Sequence, residues 1–265
     1  MIKMPRKRKG EGGKVRQDGE KPKRKKKSKA RLSEVEIESY ANEISRQLVP
    51  MLGLDIIEVD ASSIKGLVSE IVASIAESRA TKPTINSIVK KVVTSKNNFM
   101  KAIASMLISN NEVNSRERLE FLISYAPELA GKASPILYKT AKKLNLQDVI
   151  EDLRHLWNLY GRPTPVRCPR CGFNSVMPDL TCLVCNATLS EREIKDEIGF
   201  NELLNNIIST YNREVIYEIV HAGYVVFDGE LKPPSMASKG SMEIILHLNR
   251  KEREALKKAI ESYKQ

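Results

Sequence analysis

Residues 166–188 read VRCPRCGFNSVMPDLTCLVCNAT. Two Cys-x-x-Cys pairs, Cys168/Cys171 and Cys182/Cys185, stand ten residues apart. Each pair can place two sulfurs on one tight turn, and four sulfurs can surround one tetrahedral ion. Gly172 and Asn186 follow the second cysteine of each pair, where a knuckle needs a residue tolerant of positive φ and a backbone amide aimed at sulfur. Four buried free thiols are the alternative, but two matched pairs with these followers point to metal, with zinc expected over iron. Four thiolates would close the coordination shell, so the ion is expected to stabilise folding and to activate no water. No catalytic residue is assigned.

This pattern resembles the zinc-ribbon class with rubredoxin-type knuckles, found in transcription, replication and ribosomal proteins. The resemblance covers about residues 166–188, and the ten-residue spacer is short for that class. It implies association with nucleic acid or a nucleoprotein. Between Arg154 and Ser190 the bases are Arg154, Arg162, Arg167 and Arg170, and Asp179 is the only acid. Arg162, Arg167 and Arg170 are therefore candidate nucleic-acid contacts, although an arginine beside four thiolates can equally serve to offset their charge.

Outward from the cysteines, Gly161, Pro163 and Pro165 mark a module boundary, and the 265 residues exceed the roughly 100 to 200 of a typical domain. The predicted organisation is a basic arm at 1–32, a helical domain at 33–160, the ribbon at 161–189 and a small α+β unit at 190–265. The predicted fold class is mainly α: an N-terminal helical bundle, an inserted four-cysteine zinc ribbon and a small C-terminal α+β unit. In the helical domain Ser33 and Glu36 fit a capping box, and Ile37, Tyr40, Ala41, Ile44 and Leu48 follow at helical spacing until Pro50 and Gly53 intervene. Further stripes run through Ile64–Ile75 and, after Pro83 and a Thr84 cap, through Ile85–Val92. Phe99–Leu107 and Leu119–Ile123 add two helices about a turn at Asn110 and Asn111. Pro127, Gly131 and Pro135 are expected to break the next stretch, before one or two helices reach Leu159. Trp157, Leu156, Leu159 and Tyr160 read as packing.

Beyond the ribbon a helix is expected over about 190–211. Two strands at 224–227 and 242–248 should flank a loop holding Gly229, Pro233, Pro234, Ser235 and Gly240. A final helix is capped by Asn249 and Glu252, with Leu256 and Ile260 facing inward. His155, His221 and His247 stand alone and suggest no site.

Charge is segregated along the chain. Of the net +11, residues 1–32 hold 15 Lys and Arg against Glu11, Asp18 and Glu20, a net of +12; the remainder holds 29 bases and 30 acids, a net of −1. The arm has almost no apolar residues and should be disordered when free. Its run of Lys21, Lys23, Arg24, Lys25, Lys26, Lys27, Lys29 and Arg31 suits a polyphosphate backbone, DNA or RNA, bound through counterion release. The absence of interleaved apolar residues argues against a membrane anchor. No run of about 18 uncharged apolar residues exists, there is no secretory apolar core, and all four cysteines cluster, so an intracellular protein is expected, cytoplasmic, or nuclear if eukaryotic. The functional expectation is a non-enzymatic factor associating with nucleic acid or a ribonucleoprotein. The alternative is a protein-interaction scaffold or accessory subunit of a transcription, replication or translation complex.

Overall fold

The computed structural model describes residues 32–78, 81–238 and 242–262, so the cationic run at 21–31 and Gly240 of the C-terminal loop lie outside the described residues. Among the described residues there are twelve α-helices and one three-stranded sheet, a mainly helical architecture ending in an α+β unit. No described helix is long and apolar enough to cross a membrane.

Helix α1, Glu34–Leu52, begins at the expected capping box: the Ser33 amide donates to Glu36 Oε2 at 2.8 Å, and the Glu36 amide to Ser33 Oγ at 3.3 Å. Leu32, assigned to the arm from sequence, is buried against the core. Pro50 does not end the helix. It lies inside it, and the stop comes at Gly53, whose φ of 71° closes the C-terminus with its amide on the Pro50 carbonyl. A proline in a last turn forfeits one backbone bond, and burial of Leu48, Leu52 and Leu54 offsets the loss, at about 1.5 to 3 kcal/mol for each side chain.

Helix α1 lies along α2 (Ala61–Ser78) and against α3 (Ile85–Thr94), which is capped by Thr84 as expected. Helices α4 (Lys96–Ser109), α5 (Arg116–Tyr125), α6 (Pro127–Lys132), α7 (Ser134–Lys143) and α8 (Gln147–Tyr160) continue the domain. Pro127 and Pro135 mark boundaries between helices as expected, α5 ending at Tyr125 and α6 at Lys132, while Gly131 does not break the chain. Pro127 and Pro135 occupy first turns, where a missing amide hydrogen costs little. Gly131 lies within α6 because α8 crosses it: a Cβ there would come 2.5 Å from the Leu156 carbonyl oxygen. Sequence alone does not reveal that close approach, so the glycine reads as a break. Trp157 and Leu156 are buried as expected, whereas Leu159 is 58% exposed and Tyr160 39%.

The predicted helix over 190–211 is two, α9 (Glu191–Glu197) and α10 (Phe200–Thr210), turned at Gly199 with φ 66°. Helix α11 (Arg213–Ala222), N-capped by Asn212, has no counterpart in the sequence reading. Strands β1 (Tyr224–Phe227) and β3 (Ile244–His247) pair antiparallel with Tyr224 opposite His247, and the two-residue β2 (Leu231–Lys232) joins the other edge of β1. Helix α12 (Arg250–Ser262) starts from the expected Asn249–Glu252 box, buries Leu256 and packs on α11.

Arg118, buried in α5, falls outside the apolar patterning. Its guanidinium donates to the carbonyls of Ile57 (2.9 Å), Glu58 (3.1 Å) and Glu112 (2.5 Å), tying the turn after α1 to the α4–α5 loop. Arg118→Ala would strand these carbonyls in a site water reaches poorly, and is expected to lower stability by about 2 to 4 kcal/mol. Urea denaturation followed by circular dichroism measures this; a loss under about 0.5 kcal/mol would show that the clip contributes nothing.

Candidate metal centre

The two knuckles are built alike. In the first, the Gly172 amide donates to the Cys168 carbonyl at 2.8 Å and the Cys168 amide to the Phe173 carbonyl at 2.8 Å. In the second, the Asn186 amide donates to the Cys182 carbonyl and the Cys182 amide to the Ala187 carbonyl, each at 2.9 Å. Gly172 and Asn186 hold φ of 77° and 58°, the left-handed conformation their identities predict. The loop between the knuckles folds back on itself: Val176 bridges Cys182, Asp179 accepts from the Thr181 amide at 3.0 Å, and Leu180 takes φ 61° at the tip.

This brings Cys168, Cys171, Cys182 and Cys185 together with all four sulfurs within 4.8 Å of one another, able to hold a metal ion. Cys171 Sγ and Cys182 Sγ are 3.6 Å apart, and Cys168 Sγ and Cys185 Sγ 3.8 Å. The first three cysteines are buried and Cys185 is half-buried. Cys182 is held down at about 4 by hydrogen bonds from the Cys171 thiol, the Cys185 amide (3.4 Å) and the Ser175 hydroxyl (3.0 Å). Donation to Cys182 and burial push Cys171 far up, while burial pushes Cys185 up to about 11. Buried sulfurs this close cannot all ionise unless a cation compensates them. Ser175, seven residues before Cys182, carries no sequence signal that marks it as a sulfur partner.

The four-cysteine segment does not stand apart from the helices that precede it. Phe173, 1% exposed, packs edge-on against Tyr138 of α7 (5.5 Å between ring centroids) and Trp157 of α8 (6.4 Å). Trp157 Nε1 donates to the Asn174 carbonyl at 2.8 Å, and Arg154 Nε to the Cys171 carbonyl at 3.0 Å. Val166, Val176, Val184 and Leu189 join the same core. Arg154, in sequence only one base among four, thus holds the first knuckle against α8.

The other bases lie at the rim. Arg162, Arg167 and Arg170 are exposed; Arg170 pairs with Glu193 at 3.1 Å, and Arg167 approaches Glu197 at 4.0 Å, both acids belonging to α9. The three histidines are exposed, and His247, expected to stand alone, meets Glu191 at 2.8 Å because β3 ends beside α9. No family model, curated protein or solved structure matches the chain.

Two outcomes are expected. Gly172→Ala must strain a positive φ and put a Cβ 2.8 Å from the Arg154 guanidinium, so it should destabilise by about 1 to 3 kcal/mol, whereas Asn186→Gly should stay within about 0.5 kcal/mol. Equal effects of the two in chemical denaturation would contradict the knuckle geometry. Metal affinity should fall as the pH is lowered, because Cys171 and Cys185, pushed above the ordinary thiol range, must release their protons to bind: with these two as the minimum displaced, at least about a hundredfold per pH unit between about pH 8 and 7. Chelator competition at the two pH values reads this directly, and a flat profile would mean these thiols are not ligands.

Proposed function

We propose that this chain is a non-enzymatic, intracellular factor that binds one structural zinc ion through Cys168, Cys171, Cys182 and Cys185 and associates with nucleic acid or a ribonucleoprotein through its basic arm. Zinc suits the donor set: four soft thiolates on two rigid knuckles match its tetrahedral preference, and no position is left for water. The ion would supply the charge that lets the four sulfurs ionise together. The residues of the chain do the rest, with Arg154 and Trp157 fixing the ribbon backbone and Phe173 its apolar side.

The observation that carries the nucleic-acid reading is charge segregation, +12 on residues 1–32 against −1 on the rest. Each phosphate neutralised adds roughly 0.7 to 0.9 to the slope of log affinity against log salt, and the dense cations lie on the arm. The ribbon arginines face carboxylates of α9, which supports the arm as the main contact. The accessory-subunit reading is favoured by the neutral body and by Met51 and Ile56, 57% and 69% exposed on either side of Gly53.

Purified protein should contain one zinc per chain by elemental analysis; no stoichiometric metal after anaerobic purification would refute the assignment. Deleting residues 1–31, which spares buried Leu32, should weaken oligonucleotide binding by at least about a hundredfold in low salt and flatten its salt dependence, with little change in melting temperature. Survival of protein partners after nuclease treatment, with no oligonucleotide binding by the full chain, would transfer the reading to the accessory subunit.

A further inference from the structure

We infer that the first knuckle carries a phosphate site whose Arg167 and Arg170 are occupied by two of the protein's own carboxylates on helix α9, so that the ribbon contacts a nucleic-acid backbone only after these guanidiniums exchange Glu197 and Glu193 for phosphate. The inference rests on the nucleic-acid reading above and names a second contact within it. Arg154, Arg167, Arg170 and Glu197 line one cavity of about 220 Å³ beside Cys168–Gly172, and Glu193 reaches Arg170 from outside that lining. Three arginines lining so small a space supply the donors of an oxyanion site, because a guanidinium presents a planar fork of donors that matches phosphate.

The three arginines are held differently. Arg154 is fixed by its bond to the Cys171 carbonyl and lies 6.0 Å from the centre of the Phe173 ring, packed against Gly172, where no Cβ intrudes. It forms a positioned floor. Arg167 and Arg170 keep 60% and 55% of their side chains exposed, and their partners are the α9 carboxylates, not sulfurs. If they served only to offset the thiolates they would face the sulfurs. Exposed ion pairs of this kind contribute little and are screened by salt, and the Arg167 pair is already long at 4.0 Å. A backbone phosphate, offering several acceptor oxygens, can therefore replace either carboxylate. Glu193 also serves the α9 capping box through Ser190 with its Oε2 and meets Arg170 with Oε1, so the carboxylate stays at the helix start and it is the exposed Arg170 guanidinium that turns from it to a phosphate.

The test uses the full-length chain and fluorescein-labelled mixed-sequence oligonucleotides, about 20 nucleotides of single-stranded RNA or DNA, with anisotropy read across a potassium chloride series. The E193Q/E197Q variant keeps the capping box, since glutamine can replace glutamate in it. It should bind about threefold to tenfold more tightly and steepen the salt slope by about 1 to 2. The gain should vanish in an R167Q/R170Q background, and a charge-matched control, E202Q/E214Q on exposed positions of α10 and α11, should show none of it. Zinc content and helical circular dichroism should be unchanged in every variant. A gain on one polymer only identifies which backbone the site takes. If the wild-type chain binds with an arm-dependent slope but the gain is absent, or persists without the arginines, the covered site is wrong and the arm reading stands. If the full chain binds neither polymer, both fall.

Discussion

Phe173 lies between Tyr138 and Trp157, two residues after Cys171, and its burial against those rings ties the cysteine cluster to the helical domain. An aromatic side chain fully removed from water contributes about 1.5 to 3 kcal/mol, and the edge-on ring contacts add to that. Because Phe173 cannot leave its pocket without exposing Trp157, the first knuckle inherits the rigidity of α7 and α8. The backbone bonds from Arg154 and Trp157 complete the joint at Cys171 and Asn174. The geometry of the cysteine cluster is therefore stabilised from the helical side as well as by the knuckle turns, and loss of this segment would bare part of the helical core.

Helix α9 carries that constraint onward to the C-terminal unit. One set of its side chains, Glu193 and Glu197, faces the ribbon arginines. Another, Glu191 and Lys195, faces β3 and α12. Lys195 lies 2.8 Å from Glu252, donates to the His247 carbonyl at 2.6 Å and sits 4.5 Å from the centre of the Phe200 ring. The pair is 13% and 9% exposed, so neither charge can be left alone without a desolvation cost of several kcal/mol. One short helix thus joins three parts of the molecule through ion pairs of very different strength. The pair on the C-terminal side is buried, and those on the side of the cysteines are open to water and salt.

Much of this is legible in order along the chain. The capping boxes at Ser33 and Asn249, the Thr84 cap and the apolar stripes of α1 to α5 are local signals, and the helices form where they point. The misleading signals are also local. Gly131 carries the chemistry of a breaker yet lies inside α6, and only the close crossing of α8 explains a glycine there, whereas Pro127 and Pro135 open new helices where breaks are expected. Helix α11, capped by Asn212, buries only Ile216 and Ile219, and its β-branched Val215, Ile216, Ile219 and Val220 suit a strand as well as a helix, so no local signal announces it.

For the site, sequence determined the four candidate ligands, because cysteine spacing and the two positive-φ residues specify each knuckle within a few residues of chain. It determined as well the separation of a cationic arm from a neutral body, since charge is a property of composition. Only the tertiary structure decided that Arg154 serves the knuckle backbone, that Phe173 closes the helical core, and that Arg167 and Arg170 meet carboxylates on a helix beyond the second knuckle. The physical reason is range. A turn is specified by neighbours in sequence, whereas the partner of a guanidinium is whatever acceptor the packing of distant helices brings within about 3 to 4 Å.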